Sequence, residues 1–201
     1  MIAIIDYDAG NLRSVEKALE YIGENPVITR DKNEIMKADR VILPGVGAFG
    51  DALGKLRQYD LESVIHNVAQ SGTPLLGICM GLQALFDSSD ETKGVKGLSV
   101  LSGDILAIPD DGEHKIPHMG WNSLNFPKKS RLFEGIPEGS YVYFVHSYYL
   151  KAADEGIVAA TTEYVSHIHA AVEKDNVFAC QFHPEKSGDI GLEILKNFAR
   201  I

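Results

Sequence analysis

Cysteine is scarce in this 201-residue sequence: only Cys79 and Cys180 occur, far apart and outside any CxxC spacing. A disulfide framework and a zinc knuckle are therefore poor readings. No segment approaches the roughly 18 consecutive apolar residues of a membrane-crossing helix. The opening run Ile2 to Ile5 stops at Asp6 and lacks the basic start and cleavage region of a signal peptide. Positive charge is also in deficit. Nineteen Lys and Arg against 28 Asp and Glu leave a net charge of −9, which repels phosphate backbones and anionic lipid heads unless a basic patch is set aside for them, and none is visible. These absences predict a cytosolic protein that binds neither nucleic acid nor membrane. Repeats, linkers and low-complexity tracts are missing too. With 45% hydrophobic and 23% charged residues, the chain has the composition of a globular protein, and its length predicts one domain over residues 1–201.

What is present is an alternation of short apolar runs with helical periods. Ile2 to Ile5 precedes a helical stretch from Asn11 to Ile22; Val27 to Thr29 follows; Arg40 to Leu43 precedes Ala48 to Leu56 and Leu61 to Ala69; Leu75 to Ile78 precedes Gly81 to Phe86. This βαβα order predicts a parallel sheet covered by helices on both faces, with functional residues beyond the carboxyl ends of the strands. From about Gly97 the pattern changes to strand-like pieces: Ile105 to Ile108, Tyr141 to Val145, Ile157 to Thr162, Ile168 to Glu173 and Val177 to Phe182. They predict a mainly antiparallel part completing the same layers, before a last helix from Ile190 to Ala199.

Leu75-Leu76-Gly77-Ile78-Cys79-Met80-Gly81 places a cysteine directly after a buried-type strand, with glycine two residues away on each side. A tight strand-to-helix turn of this kind exposes a nucleophile, and the start of a helix favours the thiolate. The pentapeptide alone reads equally well as a buried cysteine serving as a small hydrophobe. A nucleophilic thiol needs a base and an orienting acceptor. Phe182-His183-Pro184-Glu185 offers both at a strand end, with Pro184 restricting the backbone between them. The other histidines, His66, His114, His118, His146, His167 and His169, read as solvated or hydrogen-bonded structural residues. Oxyanion donors are expected from the Met80 N–H and from Val46 and Gly47 in the turn Pro44-Gly45-Val46-Gly47.

Three motifs are decoys. Gly45-Val-Gly-Ala-Phe-Gly50 matches GxGxxG, but it follows the third predicted strand, and no strand ending in an acid appears about 20 residues later. Gly50-Asp-Ala-Leu-Gly54-Lys55-Leu56 is one residue short of a Walker A loop and lacks its hydroxyl. His167-Ile-His169 has no third metal ligand nearby and reads as the exposed edge of a strand.

Pro-Gly-Val-Gly, Gly-Ile-Cys-Met-Gly and Phe-His-Pro-Glu, in this order, resemble the triad (class I) glutamine amidotransferases along the whole chain. The resemblance implies an α/β, flavodoxin-like three-layer sandwich, a Cys79–His183–Glu185 triad hydrolysing glutamine through a thioester, and no cofactor or metal. Asp6-Tyr-Asp-Ala-Gly-Asn11, Gly94-Val-Lys-Gly-Leu98, Pro117-His-Met-Gly-Trp-Asn122, Tyr143-Phe-Val-His-Ser-Tyr148 and Gln181-Phe-His-Pro-Glu-Lys-Ser187 look like the histidine-biosynthetic branch. Its members deliver ammonia to a cyclase subunit of (β/α)8-barrel fold, in a heterodimer. By the same resemblance Gly47, Gln83, Glu91, Ser147 and Tyr148 line the glutamine pocket, Ser147 standing where relatives commonly have Thr. Asn11, Trp121, Tyr143 and Lys186 resemble positions facing the cyclase. Asn11 reads otherwise as an N-cap, Trp121 as a core aromatic, Tyr143 as an alternating strand residue and Lys186 as a solvated charge. Two other readings stay open: a glutaminase subunit for pyridoxal phosphate or purine synthesis, and a non-catalytic redox or binding protein of similar fold.

Overall fold

The computed structural model describes residues 1–201. Its first half runs β1 (Ile2–Ile5), α1 (Leu12–Tyr21), β2 (Pro26–Thr29), α2 (Lys32–Lys37), β3 (Arg40–Leu43), α3 (Phe49–Gln58), α4 (Glu62–Ser71), β4 (Leu75–Ile78) and α5 (Met80–Ala84). The second half runs β5 (Ser88–Ser89), β6 (Gly103–Ala107), β7 (His118–Ser123), β8 (Tyr141–His146), β9 (Tyr148–Ala152), β10 (Val158–Tyr164), β11 (Ser166–Lys174), β12 (Val177–Cys180) and α6 (Gly188–Arg200). No helix is long and apolar enough to cross a membrane.

The main sheet has the order β10-β11-β12-β4-β3-β1-β2. The pairs from β12 through β4, β3 and β1 to β2 are all parallel, whereas β10–β11 and β11–β12 are antiparallel. Burial on both sides explains why the central strands read as unbroken apolar runs and show no alternation. Successive residues serve opposite layers: Ala3 and Ile5 pack with α3 and α4, while Ile2 and Ile4 pack with α1 and α6. Each such fully buried aliphatic side chain contributes about 1.5–3 kcal/mol of transfer free energy. The helices present matching stripes, Leu53 and Leu56 of α3 on one face and Ile194, Leu195 and Phe198 of α6 on the other.

Several elements depart from the sequence expectation. Helix α2 is only six residues long and buries a single residue, Ile35, so periodicity does not reveal it; Asp31 starts it by accepting from the Asn33 and Glu34 N–H groups. The segment around Trp121, where the sequence pattern announces no strand, is β7, which pairs antiparallel with β8 over six residues. Gly120 stands in it at φ +133°, a conformation open to glycine because it has no Cβ. Strand β9 was unforeseen as well, and β6 and β9 form a small separate sheet with β5. His167-Ile-His169 does not lie on an edge, since β11 is flanked by β10 and β12. His169 is 2% exposed and its Nδ1 accepts from the Ala152 N–H at 3.1 Å, while His167 stays outside beside Glu163.

Candidate active site

Cys79 sits between β4 and α5 with φ 53° and ψ −104°, a left-handed conformation that costs on the order of 1–3 kcal/mol and persists only where the surroundings enforce it. Its N–H is held by the Cys180 carbonyl on β12 at 2.8 Å. The flanking glycines are steric necessities: a Cβ on Gly81 would lie 1.8 Å from the Leu43 carbonyl oxygen, and one on Gly77 2.8 Å from that of Gly81. A five-residue helix is thereby pressed against the ends of β3 and β4, and the thiol points out beyond the sheet.

His183 follows β12, the strand beside β4, so strand order alone brings the imidazole to the thiol. Its N–H donates to the Tyr143 carbonyl at 2.9 Å. Nδ1 lies 2.7 Å from Glu185 Oε1, with both side chains essentially inaccessible. The carboxylate is an acceptor, so Nδ1 carries the proton and Nε2 is turned toward the cavity it shares with Cys79. Nε2 makes no hydrogen bond at rest, and neither does Glu185 Oε2. Burial would depress the His183 pKa, but the neighbouring Cys79 sulfur and the Glu185 carboxylate outweigh it and raise the value to about 9. An imidazolium beside sulfur can stabilise a thiolate and later protonate a leaving amine.

The cavity over Cys79 measures about 360 Å³. It gathers every residue expected from the sequence for nucleophile, base, oxyanion and pocket: Val46, Gly47, Cys79, Met80, Gln83, Glu91, Ser147, Tyr148 and His183. Pro117, Val145 and His146 complete its walls. Glu91 is not a free solvated acid, because its Oε2 accepts from the Phe49 N–H at 2.6 Å. The N-cap of α3 is Ala48, which offers no side-chain hydrogen bond, so Glu91 supplies one across the cavity rim. A larger depression of about 890 Å³ around Lys128 to Glu138 contains none of the predicted site residues and holds the Arg131–Glu173 ion pair.

The oxyanion donors are not assembled as expected. The Met80 N–H already donates to the Gly45 carbonyl at 3.3 Å, so the Gly45–Val46 peptide turns its oxygen, and not its N–H, toward Met80. Gly47 follows at φ 97°. Asn11 also differs: it is not a side-chain N-cap for α1, and its amide reaches back to donate to Glu185 Oε1. The remaining partner-facing candidates lie together on the surface. Trp121 is 55% exposed and sits edge-on to Tyr143 at 6.2 Å; Lys186 is exposed in the short turn that carries Glu185.

Two buried histidines, expected from the sequence only as solvated or hydrogen-bonded structural residues, stand at the site, His146 in the cavity wall and His118 behind it. His146 Nδ1 contacts the Tyr148 carbonyl at 2.9 Å and His118 Nδ1 contacts His146 Nε2 at 3.0 Å. Because the carbonyl only accepts, His146 Nδ1 carries a proton; with His146 neutral its Nε2 is an acceptor, and His118 donates to it from Nδ1. Burial lowers the pKa of His146 to about 3 and that of His118 to about 4. Gln181, fully buried beside Cys79, also went unread. Its only sequence signal was its place just ahead of Phe-His-Pro-Glu.

Fold and cleft define a cysteine-dependent acyl-transfer site, and residues 3–201 match the family model described as glutamine amidotransferase class-I. The chain belongs to that family. It is 52% identical over 198 residues to imidazole glycerol phosphate synthase subunit HisH of Bacillus cereus (strain G9842), covering 98% of this chain and 93% of the relative. It is 50% identical over 200 residues to the subunit of the same name from Moorella thermoacetica, covering 100% and 94%. Among solved structures, PurLQS from Thermotoga maritima matches with a TM-score of 0.74 at 21% identity over 99% of this chain and 97% of that one. The crystal structure of a glutamine amidotransferase matches with a TM-score of 0.76 at 20% identity, over 99% and 100%. These structural likenesses support the three-layer fold.

Proposed function

We propose that this protein is the glutaminase subunit of an imidazole glycerol phosphate synthase, hydrolysing glutamine and passing ammonia to a cyclase subunit of (β/α)8-barrel fold in the cytoplasm. The observation that carries the chemistry is the His183–Glu185 pair closing on the cavity over the strained Cys79. Half-identity to HisH subunits over nearly the full chain supports the pathway. It disfavours a glutaminase for pyridoxal phosphate or purine synthesis. The buried His–Glu pair, which a merely oxidisable thiol has no use for, disfavours a redox or binding protein.

In this reading Cys79 Sγ attacks the amide carbon of glutamine, and its negative charge passes to the carbonyl oxygen. His183, oriented by Glu185, gives a proton from Nε2 to the departing nitrogen, and ammonia leaves behind a glutamyl thioester. His183 then takes a proton from water, which attacks the thioester to release glutamate and restore the thiol. Gln83 and Glu91, with Ser147 and Tyr148, hold the amino-acid end. Rotation of the Gly45–Val46 peptide frees the Met80 N–H and turns the Val46 N–H inward, completing the oxyanion donors; glycine on both sides of Val46 makes that rotation cheap. Docking of the partner's substrate-loaded form drives it, so the free subunit turns over slowly.

The test is ammonia release from glutamine by the protein alone, then with a histidine-pathway cyclase and its nucleotide substrate analogue. A rise confined to the full mixture, and its loss in Cys79→Ala, is expected. Full turnover by the free subunit would overturn the gated oxyanion site. No stimulation by the cyclase would overturn the assigned partner.

A further inference from the structure

Gln181 is completely buried, its N–H fixed to the Ala170 carbonyl at 2.8 Å, and its side chain ends on the nucleophile, with Nε2 3.6 Å from Cys79 Sγ. Which end of that amide faces sulfur is settled by the chain of partners behind it. The Tyr148 carbonyl can only accept, so Gln83 presents its Nε2 there, at 3.1 Å. The second hydrogen of the same Nε2 goes to Gln181 Oε1, also at 3.1 Å. Gln181 therefore has its oxygen occupied and its NH2 turned toward Cys79. The same constraint leaves Gln83 Oε1 buried without any partner, on a residue that lines the cavity. A buried acceptor left open is costly unless a ligand fills it.

We propose that Gln181 is a further catalytic residue: its amide N–H steadies the Cys79 sulfur as thiolate, and Gln83 sets the orientation of that amide from inside the substrate pocket. A donor beside sulfur favours the charged form, which is the form that attacks. An N–H group of the substrate bonded to Gln83 Oε1 polarises the Gln83 amide, strengthens its N–H toward Gln181 Oε1, and so strengthens the N–H toward sulfur. Occupancy of the pocket thereby readies the nucleophile through two amides, with no movement of the backbone. The inference rests on Cys79 being the nucleophile of the proposed glutaminase.

The experiment is the pH dependence of Cys79 alkylation by iodoacetamide in the intact protein, with mass spectrometry distinguishing Cys79 from the inaccessible Cys180. Gln181→Met keeps the volume and removes the donor. Its alkylation midpoint is expected to move up by about one pH unit, with roughly a tenfold slower reaction at neutral pH. Gln83→Met leaves Gln181 in place but takes away the group that orients it, and is expected to give a smaller shift in the same direction. The double variant is expected to go no further than Gln181→Met, since the two side chains act in series. A profile superimposable on wild type in a folded Gln181→Met protein would overturn the proposal; if that variant does not fold, an unchanged profile in Gln83→Met overturns it. Steady-state assays of the complex add a second readout, a fall in kcat with KM nearly kept in Gln181→Met. A wild-type protein without glutaminase activity would defeat the function proposed above, whereas the alkylation profile judges the sulfur–amide contact by itself.

Discussion

Asn11 shows how much one side chain can connect. It occupies the left-handed region at φ 75°, where asparagine is among the few non-glycine residues at ease, and from there its amide donates to the carboxylate oxygen that orients His183. Glu185 Oε1 thus has two donors and one fixed rotamer. Asn11→Gly keeps the backbone conformation and deletes the amide, so kcat of the activated complex is expected to fall roughly tenfold at nearly constant KM, the usual scale for a group that orients a catalytic side chain. Steady-state glutaminase kinetics check this; an unaltered kcat would show that His183 alone holds Glu185. Tyr7 plays a comparable part at the opposite wall, its buried hydroxyl donating to the Pro44 carbonyl at 2.7 Å just ahead of the Gly45–Val46 peptide. Burial first, and the charge of Cys79 second, push the Tyr7 pKa far above its ordinary value, so it remains a donor at any working pH.

Among the elements, the β7–β8 hairpin has the clearest pH signature. His118 lies between Phe144 and Tyr164, with ring centroids 4.7 and 4.0 Å away, and its bond to His146 cannot survive protonation of both rings. Their folded pKa values, about 4 and about 3, are below the unfolded value near 6.5. Below pH 6.5 the unfolded chain takes up protons that the folded hairpin refuses, so stability is present above that pH and drains away as the pH falls toward 4 and then 3. His183 has the opposite sign: its folded pKa of about 9 adds stability that is complete below pH 6.5 and disappears as the pH rises through 9. Between pH 7 and 4.5 the Tm of wild type is expected to drop, and the drop is expected to shrink in His118→Gln. Differential scanning calorimetry across that range decides it; equal drops in both proteins would remove the histidine pair from the account of acid lability.

Across the whole molecule, the exposed face of the hairpin adjoins the mouth of the cavity. Met119, Trp121 and Tyr141 are each more than half exposed, Trp121 is paired with Tyr143 and Met119 with Val145, and Val145 itself lines the cavity over Cys79. In the proposed complex a partner seated on this patch would cover the cavity over Cys79, beside the turn carrying Glu185 and Lys186. Exposed aromatics of this kind anchor interfaces and contribute little to the fold of the free protein. Trp121→Ala is accordingly expected to weaken cyclase binding by roughly 30-fold or more, about 2 kcal/mol on the scale of interface anchors, with little change in the Tm of the isolated subunit. Isothermal titration calorimetry measures the first quantity. Undiminished affinity would move the interface elsewhere.

The sequence by itself determined the elements whose causes are local. Ile2–Ile5, residues 41–43 and Leu75–Ile78 are apolar without interruption because both faces of a central parallel strand are covered, and that is legible in three or four residues. The Cys79 elbow is legible because only glycine fits at positions 77 and 81, and the His183–Glu185 pair because two residues of chain suffice to bring them together. Tertiary structure decided whatever depends on which strands become neighbours. The order β12-β4-β3 places His183 beside Cys79; the β7–β8 pairing makes a strand where the sequence pattern announces none and aligns His118 with His146; and Gln83, Gln181 and Tyr148 meet across separations of 65 and 98 residues. Periodicity and motif spacing report the conformation of a short stretch of backbone. A hydrogen bond between distant residues depends on the registers of several strands at once, and no stretch of sequence carries that information alone.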